Sequence, residues 1–239
     1  MVVMSSGSST PLGSRSASPE DRDRSVPARP SAPIGPRRGR FCAVNLDARG
    51  RRRAETHRRI YEVAMRLFRE RGYKEVSVGE IAATAGVSVP TFYAHFTNKE
   101  QVVLPLPERP AVQALLAAQP RGDSVFVTVR DAMLDWLDSY QGRDRDDLLE
   151  RWQVVVSTPG LRLRAAEYER TTAEMVLEAL PPAAVTEPRK LATELVVTAL
   201  FSSYTQILLR WGEEGGVRSL REVADEVLTT LRTMGGPPG

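Results

Sequence analysis

Cysteine occurs once in the 239 residues, at Cys42, and histidine only twice, at His57 and His95. A lone cysteine excludes an intrachain disulfide and a cysteine metal cluster. The chain holds no H-E-x-x-H, no G-x-S-x-G and no phosphate-binding P-loop string. No constellation for hydrolytic, metal or nucleotide chemistry can be assembled, and a non-enzyme without metal or cofactor is the expectation. No run of about 18 uninterrupted apolar residues is present, so no membrane-spanning helix is expected. The stretch from Pro11 to Pro36 is polar and Pro-rich where a signal peptide would place its apolar core. A soluble cytoplasmic protein with no membrane partner is the expectation. Lysine is scarce too, 3 against 30 arginines.

What is present is 41% hydrophobic residues, enough for a sizeable core. The net charge of +3 hides an uneven distribution: residues 1–100 hold 18 Lys+Arg against 10 Asp+Glu, and the remainder 15 against 20. A basic third beside an acidic body fits a part that faces a polyanion, joined to a part that does not. Residues 1–48 are rich in Ser, Pro, Arg and Gly without apolar periodicity, and are expected to be a disordered basic tail. Arg49, Arg51, Arg52 and Arg53 follow. They read as a flexible arm on phosphates or in a minor groove, or as a solvated linker.

The first helix is predicted over 54–71, with Ile60, Val63, Ala64, Leu67 and Phe68 forming a 3.6-residue stripe. Gly72 is placed to end it as a left-handed cap. Ser77 with Glu80 three residues on predicts a capping box opening a second helix, whose buried side is Ile81, Ala82 and Ala85. Gly86 makes the turn, Ser88 caps a third helix with Pro90 in its first turn, and Asn98 caps a fourth. In the third helix Phe92 and Phe96 share one face. Thr91, Tyr93 and His95 lie off that face, an arrangement suited to reading base edges in a DNA major groove.

The segment from about Arg53 to Val103 resembles the DNA-binding domain of TetR-family regulators. The match consists of R-G-Y after the first helix, then S-V-x-x-I-A-x-x-A-G-V-S, then T-F-Y-x-H-F-x-N-K-E, at fixed spacing over about 50 residues. The resemblance implies a third helix in the major groove, with Ser88, Val89, Pro90, Thr91, Tyr93 and His95 facing DNA. Tyr93 and Lys99 would also grip phosphates. Arg51, Arg52, Arg53, Thr56, His57 and Ser77 would lie near the backbone, and Phe92 and Phe96 in the core. Some members read bases with an arginine from the second helix. Gly79 occupies that place here, so readout would lean on the third helix and the arm.

Pro105, Pro107 and Pro110 predict an irregular connector after Lys99, with a short helix over 111–118. Helices are then predicted over 125–140, 148–157, 161–180, 188–211 and 220–234. No stretch alternates as a strand, so the fold class is all-α: a helix-turn-helix unit over 49–103, a Pro-broken connector over 104–123, and a helical body over 124–236. Leu220, Val223, Val227, Leu231 and Met234 form one stripe, and Leu191, Leu195, Ala199, Ser202 and Ser203 another. By the resemblance, these two helices pair with their copies in a homodimer reading a palindromic operator of double-stranded DNA.

Phe126, Met133, Trp136, Tyr140, Trp152, Tyr168, Met175, Phe201, Tyr204 and Trp211 are the candidate lining of an apolar pocket, or simply fill the core. The string LLERWQVVVSTPGLRLRAAEYER is similar to a TetR subgroup that binds acyl-CoA-like ligands and includes the mycofactocin regulators. Its Arg151, Arg162 and Arg164 could meet phosphates or a carboxylate at a pocket mouth, or stand solvated on an amphipathic surface helix. The expectation is a repressor released by a small lipophilic or acyl-CoA-like effector. The alternative is a TetR-like DNA-binding protein without an inducer, acting as an activator or chromosome organiser.

Overall fold

The computed structural model describes residues 48–120, 122 and 124–234; the expected tail, Cys42 and the extreme C-terminus lie outside the described residues. Among the described residues the ordered elements are all helices: α1 (Ala48–Arg71), α2 (Val78–Thr84), α3 (Val89–Tyr93), α4 (Glu100–Val103), α5 (Arg109–Ala117), α6 (Val125–Asp138), α7 (Gly142–Ser157), α8 (Pro159–Ala179), a 3-10 turn at Pro182–Ala184, α9 (Lys190–Glu213) and α10 (Leu220–Met234).

α1 begins earlier than its apolar stripe predicts. Arg49 and Arg51–Arg53 lie within the helix and not in an extended arm. Arginine is nearly as good a helix former as alanine, and the helix gains a tertiary tie where Arg53 donates to the Ala94 carbonyl at 3.1 Å. Ile60 and Ala64 are fully buried and Phe68 nearly so. Gly72 (φ +86°) ends α1 in the left-handed region, its N–H donating to the Phe68 carbonyl.

α4 is a single turn, and the chain is non-helical from Leu104 to Glu108. The residue before a proline avoids the α region, and Pro105 follows Leu104. The helix beyond runs Arg109–Ala117, with Pro110 tolerated near its start. α7 starts six residues before the predicted 148, and Pro159 opens α8 instead of only closing α7. α9 runs past the predicted end at 211, with Gly212 buried inside it, where an added Cβ would come within 3.2 Å of the Trp152 backbone. That absence of a side chain lets α9 lie close on α7.

One contiguous buried cluster runs from Ile60, Phe68, Phe92 and Phe96 through Val102, Val103 and Leu104 to Met133, Leu137, Trp152, Ile207 and Trp211. A second, smaller one gathers Val112, Val129, Val176, Val197, Leu200 and Phe201. α9 packs against α6, α7, α8 and α10. It is also the one described helix long and apolar enough to cross a membrane by length and composition, with 44% of that window buried.

The stripe on α10 divides between buried and half-covered positions. Leu220 is buried, and Val223 with its neighbour Ala224 fully so, packed inside this chain, while Val227 and Leu231 are half-covered. A hydrophobic stripe identifies a buried face, not the neighbour that buries it. Ser203 is likewise inward, donating to the Ala199 carbonyl. Leu191, Leu195 and Ser202 of the expected α9 stripe do face outward, together with Thr198, and Leu191 and Leu195 are 64% and 63% exposed.

Phe92→Ala should cost about 3–5 kcal/mol of stability, measured as a fall in the denaturant midpoint. Phe92 is fully buried in the cluster it shares with Ile60, Ala64 and Phe68 of α1 and Ile81 of α2.

Candidate functional site

The second and third helices are too short to persist alone, so their ends and one inward face must hold them. Ser77 accepts from the Glu80 N–H at 3.2 Å while the Glu80 carboxylate accepts from the Ser77 N–H at 2.9 Å, a reciprocal capping box. Arg71 donates to the same carboxylate at 2.7 Å. The backbone N–H of Ser77, then Arg71, hold Glu80 far below the usual carboxylate range, at about 2. Gly86 (φ +65°) makes the turn. Ser88 then caps α3, accepting from the Thr91 N–H at 3.2 Å and sharing a 2.8 Å hydrogen bond with the Thr91 hydroxyl.

This local framework fixes which side chains of α3 face out. Phe92 and Phe96 are buried. Ser88, Val89 and Pro90 are exposed, Thr91 and His95 are half-exposed, and Tyr93 is 51% exposed, its ring edge-on to Phe92 at 5.6 Å between centroids. His57 from α1 stacks on Phe96 at 4.3 Å and stands 5.7 Å from His95. Thr56 is half-covered one residue before it, and Ser77, Arg51, Arg52 and Arg53 are exposed. Both imidazoles are held below their ordinary value, by desolvation first. His57 is lowered further by the charges of His95 and Arg53, and His95 by that of Arg53. At neutral pH they are uncharged, and present ring nitrogens that can donate or accept.

Lys99 is placed differently from a free phosphate clamp. Its ammonium donates to the Tyr73 and Val76 carbonyls at 2.8 and 2.9 Å and sits 4.2 Å from the centre of the Tyr73 ring. It ties the start of α4 to the loop after α1, and one of its three protons remains for another partner. Asn98 accepts from the Gln101 N–H at 2.8 Å, the expected cap of α4.

The aromatic candidates in the body divide. Met133, Tyr140 and Trp152 are buried in the large cluster, with Trp136, Tyr168 and Tyr204 half-covered against it. Phe201 is buried and Phe126 half-covered in the smaller cluster, and Met175 is half-covered on α8. Trp211 is fully buried, donates to the Arg218 carbonyl at 3.0 Å and carries Arg145 over its ring. It therefore braces the turn from α9 to α10. Arg162 pairs with Glu213 at 2.6 Å and Arg164 with Glu167 at 2.6 Å, so both are neutralised within the chain. A groove of about 360 Å³ lies beside Arg162, lined also by Gln206, Leu209, Arg210, Glu213, Glu214 and Val227. Its arginines are likewise paired, Arg210 with Glu226 at 3.2 Å.

This geometry defines a helix-turn-helix protein with an all-helical companion unit. Residues 60–106 match the family described as bacterial regulatory proteins, tetR family, and residues 123–234 match the MftR C-terminal domain. The chain belongs to the TetR family of helix-turn-helix transcription regulators. It is 30% identical over 168 residues to the regulator TcmR of Streptomyces glaucescens, covering 65% of this chain and 66% of that protein. To the regulator EthR of Mycobacterium tuberculosis (strain ATCC 25618 / H37Rv) it is 38% identical over 74 residues, covering 31% and 34%. The matched segments thus span less than two thirds of either relative. Among solved structures, NalD of Pseudomonas aeruginosa superposes with a TM-score of 0.50 at 20% identity, over 75% of this chain and 94% of that one. FadR of Bacillus halodurans does so with 0.50 at 21%, over 76% and 95%. At these identities the superpositions speak to fold alone.

The capping box gives a pH prediction. Glu80 ionises near 2 in the folded chain against an ordinary 4.5. Its stabilisation is therefore fully present above about pH 4.5 and is lost as pH falls towards 2. Thermal melts of Glu80→Gln should show a smaller stability loss between those pH values than the parent, and a lower midpoint at pH 7.

Proposed function

We propose that this chain is a DNA-binding transcriptional repressor that acts as a homodimer on a palindromic operator and is released by a small lipophilic or acyl-CoA-like effector. Residues 49–103 serve as the DNA-binding unit, 104–123 as connector and 124–236 as the effector-binding and dimerisation unit of a cytoplasmic, non-catalytic protein. The observation that carries the reading is the outward face of α3. Val89, Pro90, Thr91 and Tyr93 are presented on a helix anchored by Phe92, with the neutral His57 and His95 at its edge. Tyr93 and the spare proton of Lys99 are assigned to phosphates, and Ser88, Val89, Thr91 and His95 to base edges.

Homodimerisation is supported by the exposed Leu191 and Leu195 on α9 and the half-covered Val227 and Leu231 on α10. Two leucines left in water on a long helix are the kind of patch that a second subunit covers. Pairing two copies sets two α3 helices at one fixed spacing, which a palindrome one DNA turn long requires. An effector that prefers a different spacing shifts the population away from the DNA-competent dimer. A differential affinity of a few kcal/mol between the two states, about 5.5 for a full reversal, suffices.

The test selects binding sites from a random duplex pool with the full chain, then measures affinity for the selected site by fluorescence anisotropy. Tyr93→Ala should weaken it roughly tenfold or more with little change in melting temperature, because Tyr93 is 51% exposed. Normal binding by Tyr93→Ala would refute the recognition assignment. Selected DNA that no lipophilic compound releases would favour a regulator without an inducer.

A further inference from the structure

Between Ile81 and Phe96 the chain holds no Asp, Glu, Lys, Arg, Asn or Gln. Those are the longer polar side chains that hydrogen-bond base edges: Arg or Lys to guanine, Asn or Gln to adenine, Asp or Glu to cytosine. The polar residues on either side are already engaged. Glu80 is held by the Ser77 N–H and by Arg71. Asn98 is held by the Gln101 N–H, and Lys99 by the Tyr73 and Val76 carbonyls. The exposed residues of α2 are Gly79, Ala83 and Thr84, and none of them carries a long polar arm. The Ser88 and Thr91 hydroxyls are bonded to one another at 2.8 Å, and the Ser88 oxygen also accepts from the Thr91 N–H. One of their two protons is therefore already spent.

What this surface offers to a partner is largely apolar. Val89 is 40% exposed, Pro90 follows it in water, and exposed Ala94 stands one turn on from Pro90. The branched side chain of valine is stiff and the proline ring is fixed, so a contact costs them little rotamer freedom. Cations rim the patch. Arg53 donates to the Ala94 carbonyl, and exposed Arg49 lies one turn earlier on the same face of α1. An apolar centre with a basic rim matches a major groove, where phosphates flank the base edges and the thymine 5-methyl is the apolar group on display.

We propose that Val89 and Pro90 form a methyl-reading surface, and that each operator half-site is specified chiefly by thymine 5-methyl groups lying against them in the major groove. This rests on the reading of α3 as the recognition helix and names the chemical feature of the DNA that it selects. Base pairs under α3 are then A·T pairs with the thymine on a defined strand, chosen by shape and apolar contact and not by a two-point hydrogen bond to guanine. Each such contact discriminates modestly, because one methyl is a small area to bury. The remaining preference falls to the deformability of the duplex under the arginines of α1.

The experiment takes the duplex selected with the full chain and replaces its thymines one at a time with deoxyuridine, which removes the methyl and nothing else. At one or more positions in each half-site the parent should lose about fourfold in affinity by fluorescence anisotropy, the worth of one buried methyl. Val89→Ala should bind the thymine site more weakly, and the same deoxyuridine should then cost it less than about twofold, since the two changes remove one contact. The deoxyuridine series on the parent needs no variant, so the inference stays testable if Val89→Ala fails to fold. Replacing each guanine with 7-deazaguanine, which removes the N7 acceptor, should cost less than the most sensitive deoxyuridine. No loss at any deoxyuridine, an equal loss in parent and Val89→Ala, or a larger loss on 7-deazaguanine would overturn the methyl-reading surface. If Tyr93→Ala weakens binding while every deoxyuridine is neutral, the recognition helix stands and this inference alone falls. If no duplex is selected, or Tyr93→Ala binds normally, the recognition reading falls and takes this inference with it.

Discussion

The burial of Phe92 and Phe96 against α1 is the constraint on which the rest depends. α2 and α3 are seven and five residues long, well below the length at which a helix persists in water. Their caps satisfy end groups, each worth about 1 kcal/mol, and do not fix where the helices sit. Position comes from Ile81, Ala82, Phe92 and Phe96 entering the same cluster as Ile60, Ala64 and Phe68. Once Phe92 points inward, the 100° step between helical neighbours turns Tyr93 out. The outward face of α3, to which DNA recognition is assigned in the proposal, is thus a by-product of an aromatic anchor.

Much of this head was legible in the sequence because its signals are local. Ser77 with Glu80, and Ser88 with Thr91, name their own hydrogen-bond partners three residues away, and Gly72 and Gly86 adopt the positive φ that their positions require. The start of α1 was less legible: a run of arginines carries no cap and no apolar period, so a helix of arginines and a basic linker look alike. The role of Lys99 was hidden for another reason. Its partners, the Tyr73 and Val76 carbonyls, are more than twenty residues away, and backbone carbonyls carry no sequence mark. The α10 stripe was visible as a stripe, but periodicity does not say whether its cover comes from the same chain.

The proline break limits how the two parts can communicate. α4 has four residues and stops before Pro105, so it cannot act as a long lever. Continuity is carried instead by packing: Val102, Val103 and Leu104 lie in one cluster with Met133, Leu134 and Leu137 of α6 and Leu148 of α7. Close-packed side chains move together or not at all. The two parts therefore meet through a short stack of apolar contacts and through the α1–α7 contact at Tyr61 and Asp147.

Charge pairing sharpens the same division. In the body, arginines are matched to carboxylates with some regularity: Arg218 holds Glu214 and Glu226, Arg221 holds Asp138, and Arg162 holds Glu213. Most of these pairs are well exposed, and each contributes little to stability. Beyond residue 100 the chain holds 15 Lys+Arg against 20 Asp+Glu, so its arginines are spent on carboxylates and attraction to a polyanion is left to the basic first 100 residues.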